Sequence, residues 1–182
     1  MSKSIVFRAE DLFEFMVRFF TKLGVPEERA KITAEILQAA DLRGVSSHGM
    51  IRLQTYYGSR LQKGLIDPLA NNEIVRENIA SLALDGKNGL GQVVAKDAMS
   101  RCIEKAKQTG IAITTVSNSN HYGIAGYYAM MALEFEMIGI SLTNSQPLVA
   151  PTYGRKRLLG TNPIAIAAPA MTSQPFVLDM AT

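Results

Sequence analysis

Ile111-Ala112-Ile113-Thr114-Thr115-Val116 runs directly into Ser117-Asn118-Ser119-Asn120-His121-Tyr122-Gly123, and that junction decides the class of fold. The first six residues are apolar or β-branched, the composition of a buried strand. The next seven are mostly small and polar and close on glycine, as a loop does. Helical spacing flanks this junction, from about Leu90 to Gln108 before Gly110, and from about Gly126 to Glu136 after it. Further out, Ile138-Gly139-Ile140-Ser141-Leu142-Thr143 and Ile164-Ala165-Ile166-Ala167 read as strands. Upstream, Ile74-Val75-Arg76 and Leu82-Ala83-Leu84 read as short strands, with turn signals at Asp85-Gly86 and Asn88-Gly89. Strands alternating with helices make the class α/β, with helices on a mixed sheet.

The first third is helical. Leu12, Phe13, Phe15, Met16, Phe19, Phe20 and Leu23 recur at helical spacing and stop at Gly24. A second helix opens on Pro26, Glu27 and Glu28 and stops at Gly44; a third is expected from about Ser47 to Gln62, closed by Gly64. These stripes need only a core to explain them. They divide the chain into a helical segment, 1–72, and an α/β segment, 73–182.

Composition excludes several classes. With 47% hydrophobic residues and a net charge of +3 in 182 residues, the chain has neither the polarity nor the charge of a disordered protein. One cysteine, Cys102, rules out an internal disulfide and points to a reducing compartment; within its helix it reads as a small hydrophobe. No apolar run approaches the roughly 18 residues of a membrane span. Met1-Ser2-Lys3-Ser4, followed by Glu10, Asp11 and Glu14, does not read as a secretory signal. A soluble, cytoplasmic protein with no membrane partner is the expectation. The one tight basic cluster, Arg155-Lys156-Arg157, reads as a solvated loop, so no nucleic-acid partner is expected. The chain stops on the strand-like run Phe176-Val177-Leu178-Asp179-Met180-Ala181-Thr182, which reads as an interrupted element of a longer protein.

Both histidines lie in polar stretches outside the apolar stripes. His48 sits in Ser46-Ser47-His48-Gly49 where a helix is expected to begin, and His121 follows the expected strand. Imidazole exchanges protons near neutral pH without special tuning, and loops at element ends commonly carry function. If Ser47 caps the helix, Arg52 lies four residues after His48 on the same face. A helix N-terminus with a guanidinium beside it forms a carboxylate or phosphate site. The alternative is that Arg52 caps a neighbour or pairs with Asp41.

Other motifs are weaker. Gly86-Lys87-Asn88-Gly89-Leu90-Gly91 lacks the G-x-G-x-x-G spacing and reads as a hairpin turn running into a helix cap. Gly123 and Gly126 leave only a G-x-x-G, and no phosphate-loop motif occurs. No metal-ligand spacing is present, so no metal is expected. Without a G-x-S-x-G motif, Ser47 beside His48 keeps a Ser/His hydrolase only as an alternative. Taken alone, these residues do not reach a reaction.

Six ordered segments do so by resemblance. They are Asp41-Leu42-Arg43-Gly44-Val45-Ser46-Ser47-His48-Gly49 with Arg52-Leu53; Asp85-Gly86 with Gly89-Leu90-Gly91-Gln92; and Asn118-Ser119-Asn120-His121-Tyr122-Gly123 with Gly126-Tyr127-Tyr128. Thr143-Asn144-Ser145, Gly160-Thr161-Asn162-Pro163 and Leu178-Asp179-Met180-Ala181-Thr182 complete the set. Together they resemble the second type of malate/L-lactate dehydrogenase family, which includes ureidoglycolate and sulfolactate dehydrogenases and 2,3-diketogulonate reductases. Members are close to twice this length, so the chain resembles their N-terminal half. The resemblance implies a non-Rossmann nucleotide-binding fold, incomplete here, NAD or NADP as cofactor, and a homodimer. The implied reaction moves a hydride between a 2-hydroxy acid, malate or L-lactate first, and its 2-oxo acid. His48 matches a proton donor in some members and His121 a proton acceptor in others, so both are catalytic candidates. Ser47 and Arg52 are the substrate-binding candidates, with Arg52 on the carboxylate. Ser145, Asp179, Met180 and Ala181 match nucleotide contacts, with Thr161, Asn162 and Pro163 beside them. In the implied chemistry a cationic imidazole next to Arg52 stabilises charge on the carbonyl oxygen and then gives up its proton. A non-catalytic fragment or dimerisation module of such an enzyme is the alternative.

Overall fold

The computed structural model describes residues 6–182, so the segment Met1-Ser2-Lys3-Ser4 lies outside the described residues. Two compact units divide the chain between Gly123 and Ile124.

In the first unit, α1 (Ala9–Lys22) carries Glu10 and Asp11 in its first turn and Lys22 in its last, matching the helix dipole. It buries Met16 and Phe20 and gives way to Gly24 at φ +83°, a left-handed position that favours glycine. The second helix, α2 (Glu27–Leu42), follows Pro26, packs on α1, and buries a broad face of Ala30, Thr33, Ala34, Ile36, Leu37 and Ala40. Buried Thr33 is satisfied by donating to the Arg29 carbonyl at 2.8 Å. Phe20 and Leu37 form one core with Leu53, Tyr57, Ile66 and Leu90.

The single helix expected from Ser47 to Gln62 is broken into three pieces. A 3-10 turn, Ser46–His48, gives way to a bend, then to a π-helical segment, Leu53–Gly58, and a single α-turn, α3 (Ser59–Gln62). Asp41 of α2 causes the break. Its carboxylate accepts the Met50 N–H at 2.8 Å and lies 2.0 Å from where a Cβ on Gly49 would stand.

β1 (Glu73–Glu77) pairs antiparallel with β2 (Ser81–Asp85), with a register shift between Ile74 and Arg76. β2 pairs in parallel with β3 (Ile113–Ser117), and α4 (Gly91–Thr109) supplies the crossover that parallel strands require. Leu82 and Leu84 of β2 point to Ala98 of α4. The strand expected from Ile111 begins two residues later and is not buried: β3 is an edge strand, and Ile111 and Ile113 are exposed. Because α4 packs on α2 as well as on the sheet, residues 73–123 cluster with the helices. The first compact unit therefore extends to Gly123.

In the second unit, α5 (Ala125–Met131) continues as a 3-10 turn, Ala132–Phe135. It packs on the antiparallel sheet of β4 (Gly139–Leu142), β5 (Ile164–Ala168) and β6 (Phe176–Met180). Helix and sheet approach closely: a Cβ on Gly139 would lie 2.0 Å from the Ala129 carbonyl oxygen. β5 alternates as a one-sided strand must, burying Ala165 and Ala167. Arg155, Lys156 and Arg157 are exposed in the β4–β5 connection, where Val149 bridges Leu159. The class is α/β, but with two separate three-stranded sheets, one mixed and one antiparallel, in place of the single mixed sheet expected. Among the described residues no helix is long and apolar enough to cross a membrane.

Candidate active site

The loop after β3 is held by the turn after β2. Gly86 N–H donates to the Ser117 carbonyl and Asn88 N–H to the Asn118 carbonyl, both at 2.8 Å. In return, the Asn120 amide donates to the carbonyls of Asn88 and Gly89 at 3.1 and 3.0 Å. The stretch Gly86–Gly91 is therefore no hairpin turn. It carries the chain from β2 into α4 and serves as a platform for the His121 loop. Gly91 is required at the contact, since a Cβ there would meet the carbonyl oxygens of Asn120 and His121 at 2.2 and 2.4 Å.

His121 Nδ1 lies 2.6 Å from the Tyr57 hydroxyl and 3.3 Å from the Gly123 N–H. The His48 ring stacks on it, with centroids 5.4 Å apart and planes 25° apart, and Tyr56 flanks it at 5.2 Å. Burial, reinforced by the positive charge of Arg52, His48 and Arg60, pushes the His121 pKa down from 6.5 to about 4. Its imidazole is neutral at pH 7, chiefly because burial disfavours the charged ring. Burial also pushes the Tyr57 phenol pKa up, so it stays protonated. Gln92, fully buried on α4, borders that phenol and favours its ionised form.

Arg52, Tyr56 and Arg60 recur every four residues along the broken helix. The guanidinium carbons lie 6.0 Å (Arg52) and 4.4 Å (Arg60) from the Tyr56 ring centroid, a cation–π arrangement closest for Arg60. Arg52 Nε donates to the Ser47 carbonyl at 2.7 Å, so it caps a neighbour and aims its terminal nitrogens elsewhere. Asp41 is committed to Met50. Neither Arg52 nor Arg60 forms an ion pair among the described residues. An anion site here owes nothing to a helix N-terminus, because the turn holding His48 spans only three residues. Ser47 Oγ and His48 Nδ1 lie 2.9 Å apart, which orients the imidazole.

A second cluster lies wholly within the second unit. Ser145 Oγ accepts the Thr161 N–H at 2.8 Å and lies 3.0 Å from the Thr161 hydroxyl, while Ser145 N–H donates to Asn162 Oδ1 at 3.0 Å. Thr182 N–H donates to the Thr161 carbonyl at 2.8 Å. Strand register places Met180 opposite Ile164, next to Pro163. Asp179 accepts the Gly126 N–H at 2.7 Å in the first turn of α5, where helix N–H groups lack internal partners. Among the described residues no group of three or more His, Cys, Asp or Glu side chains is arranged to hold a metal ion.

A family model described as malate/L-lactate dehydrogenase matches residues 7–182. The chain belongs to this family. A malate dehydrogenase of Pyrococcus abyssi is 58% identical over 173 residues, 95% of this chain and 47% of that protein. An L-sulfolactate dehydrogenase of Methanocaldococcus jannaschii is 45% identical over 178 residues, 98% of this chain and 51% of that protein. The solved structure of malate dehydrogenase from Pyrococcus horikoshii OT3 superposes with a TM-score of 0.94 at 56% identity, over 98% of this chain and 51% of that one. The chain spans about half the length of the curated relatives it matches.

Within this family member, His48, His121, Ser47 and Arg52 lie close together in the first unit. Ser145, Thr161 and Asn162 are joined by hydrogen bonds in the second, with Pro163, Asp179 and Met180 set beside them or nearby by strand pairing. Gln92 entered the sequence reading only within a family motif and without a role, and Tyr56, Tyr57 and Arg60 escaped it. Their signal is the spacing of Arg52, Tyr56 and Arg60, which the stripe Leu53, Tyr57 and Leu61 conceals as ordinary core.

Proposed function

We propose that the chain is part of an NAD(P)-dependent dehydrogenase that interconverts a 2-hydroxy acid and its 2-oxo acid, with malate the leading substrate and L-lactate the smaller alternative. One observation carries this reading: two stacked imidazoles adjoin two guanidinium groups that have no carboxylate partner among the described residues. A 2-oxo acid presents a carboxylate beside a carbonyl. The free end of Arg52 suits the carboxylate, and an imidazole N–H suits the carbonyl oxygen, where negative charge grows as the carbon is reduced. Arg60 is a second cation within reach of the same Tyr56 ring, and it supports a second acid group on the substrate. Malate and sulfolactate carry such a group, as the relatives' names record; lactate does not.

Ser145, Thr161 and Asn162 are neutral hydroxyl and amide groups, a donor set that fits the ribose or carboxamide of a nicotinamide nucleotide. Asp179 is already engaged by the α5 backbone, which lowers the cost of having a carboxylate near phosphate. We assign these residues, with Pro163, Met180 and Ala181, to holding that cofactor. When bound, the nicotinamide supplies the hydride chemistry. This chain's own residues hold the acid groups (Arg52, Arg60), offer or take the proton (His48, His121) and orient His48 (Ser47).

Oxidation of NADH and NADPH by the full-length protein, tested against oxaloacetate, sulfopyruvate and pyruvate, tests the reading. Turnover with the two dianions well above that with pyruvate is expected. Absence of turnover with every 2-oxo acid overturns it, and nicotinamide-independent hydrolysis with labelling of Ser47 would replace it.

A further inference from the structure

We infer that Tyr57 is a positioning residue that fixes the tautomer of His121: its phenol, together with the Gly123 amide, caps Nδ1 and leaves Nε2 to carry the proton and meet the ligand. The inference rests on the reading of His121 as a proton-handling group.

A backbone amide only donates, so the 3.3 Å approach of the Gly123 N–H requires a lone pair on Nδ1. A phenol can donate or accept, but facing that lone pair at 2.6 Å it donates. A neutral imidazole holds one ring proton, which is then on Nε2. The phenol has one other acceptor nearby, the His121 carbonyl oxygen at 3.5 Å, which is too distant to compete. Gln92 borders the phenol and favours its ionised form, as an amide N–H directed at the phenol oxygen does, so it does not draw the proton away from His121.

The hydroxyl is also held in place. The Tyr57 side chain is fully buried, edge-on to Phe20 at 6.2 Å, within the core that joins α1, α2 and the π-helical segment. That core needs only a six-membered ring, and phenylalanine fills the same volume. The polar atom has its one short partner in Nδ1. An Nε2–H imidazole is a ready donor to a substrate carbonyl oxygen. The opposite tautomer would set two N–H groups, those of Gly123 and Nδ1, against each other.

Nitrogen-15 NMR of labelled histidine in the full chain reads the tautomer directly. Wild-type His121 is expected to show an unprotonated Nδ1 and a protonated Nε2 at pH 7. In Tyr57→Phe the two forms are expected to mix, and kcat to fall by about 3- to 10-fold with little change in KM, the scale of one lost neutral hydrogen bond. Wild-type His121 protonated on Nδ1 overturns the inference without any variant. An unchanged tautomer in Tyr57→Phe, with unaltered His48 resonances to certify the fold, overturns it too. Failure of the catalytic reading shows elsewhere, as full turnover in His121→Asn, and leaves the tautomer measurement standing.

Discussion

The two units build polar centres of opposite kinds. In the first, four separated stretches converge on charge: Asp41 bends the chain at Gly49, Arg52 and Arg60 bracket Tyr56, and the 85–91 turn props the His121 loop. In the second, Ser145, Thr161 and Asn162 join through neutral hydrogen bonds, and the one carboxylate, Asp179, is spent on a helix N–H. The difference separates two jobs. A group that must gain or lose a proton is governed by burial and nearby cations, whereas hydroxyls and amides recognise shape without changing charge state.

The contrast can be broken most severely at the imidazoles. His48→Ala is expected to lower kcat by about 100-fold or more, the usual worth of a positioned acid–base group. Steady-state kinetics check this, and near-wild-type turnover would remove His48 from proton transfer.

A second test concerns stability against pH. His121 has a folded pKa of about 4 against an ordinary 6.5, so the folded state binds fewer protons between those values. Its favourable contribution is complete above pH 6.5, declines as pH falls toward 4 and is gone below. The full span corresponds to about 3 kcal/mol. Urea denaturation at stepped pH should show this slope in the wild type and a shallower one in His121→Gln.

Substitution of the cations should have a smaller effect and separate their roles. Arg52→Ala is expected to raise KM for every 2-oxo acid by about tenfold or more, as loss of a charge-assisted contact does. Arg60→Ala should raise it by about tenfold for oxaloacetate and leave pyruvate nearly unchanged. Equal effects on both substrates would deny Arg60 a role at the second acid group.

The smallest effect belongs to the second unit. Ser145→Ala should weaken NADH binding by about 3- to 10-fold, as one neutral hydrogen bond implies. Fluorescence titration measures it, and the His121 titration curve should not move.

Most helices and strands were legible because each follows a local period: α1 by its aromatic stripe, α2 by Pro26 and Gly44, β5 by alternation. Tertiary chemistry overrode the period in the His48–Arg52 stretch. Nothing near Gly49 announces that Asp41, eight residues earlier, will take the Met50 N–H and stop the helix. The exposure of β3 was equally hidden, since an apolar run does not declare whether its sheet continues past it. The two histidines were legible as a pair of polar-loop residues, and Arg52 as their companion. Tyr57 was not, because a tyrosine on an apolar stripe looks like core, and here it is core at the ring and polar at one atom.

Gly91 has a consequence for anyone redesigning this scaffold. The first residue of α4 has room for a hydrogen and not for a methyl, since the carbonyls of Asn120 and His121 occupy that space. Replacing a helical glycine with alanine is a routine way to stiffen a protein. Here it would push the loop bearing one imidazole away from its neighbours, trading rigidity in one element for misalignment in another.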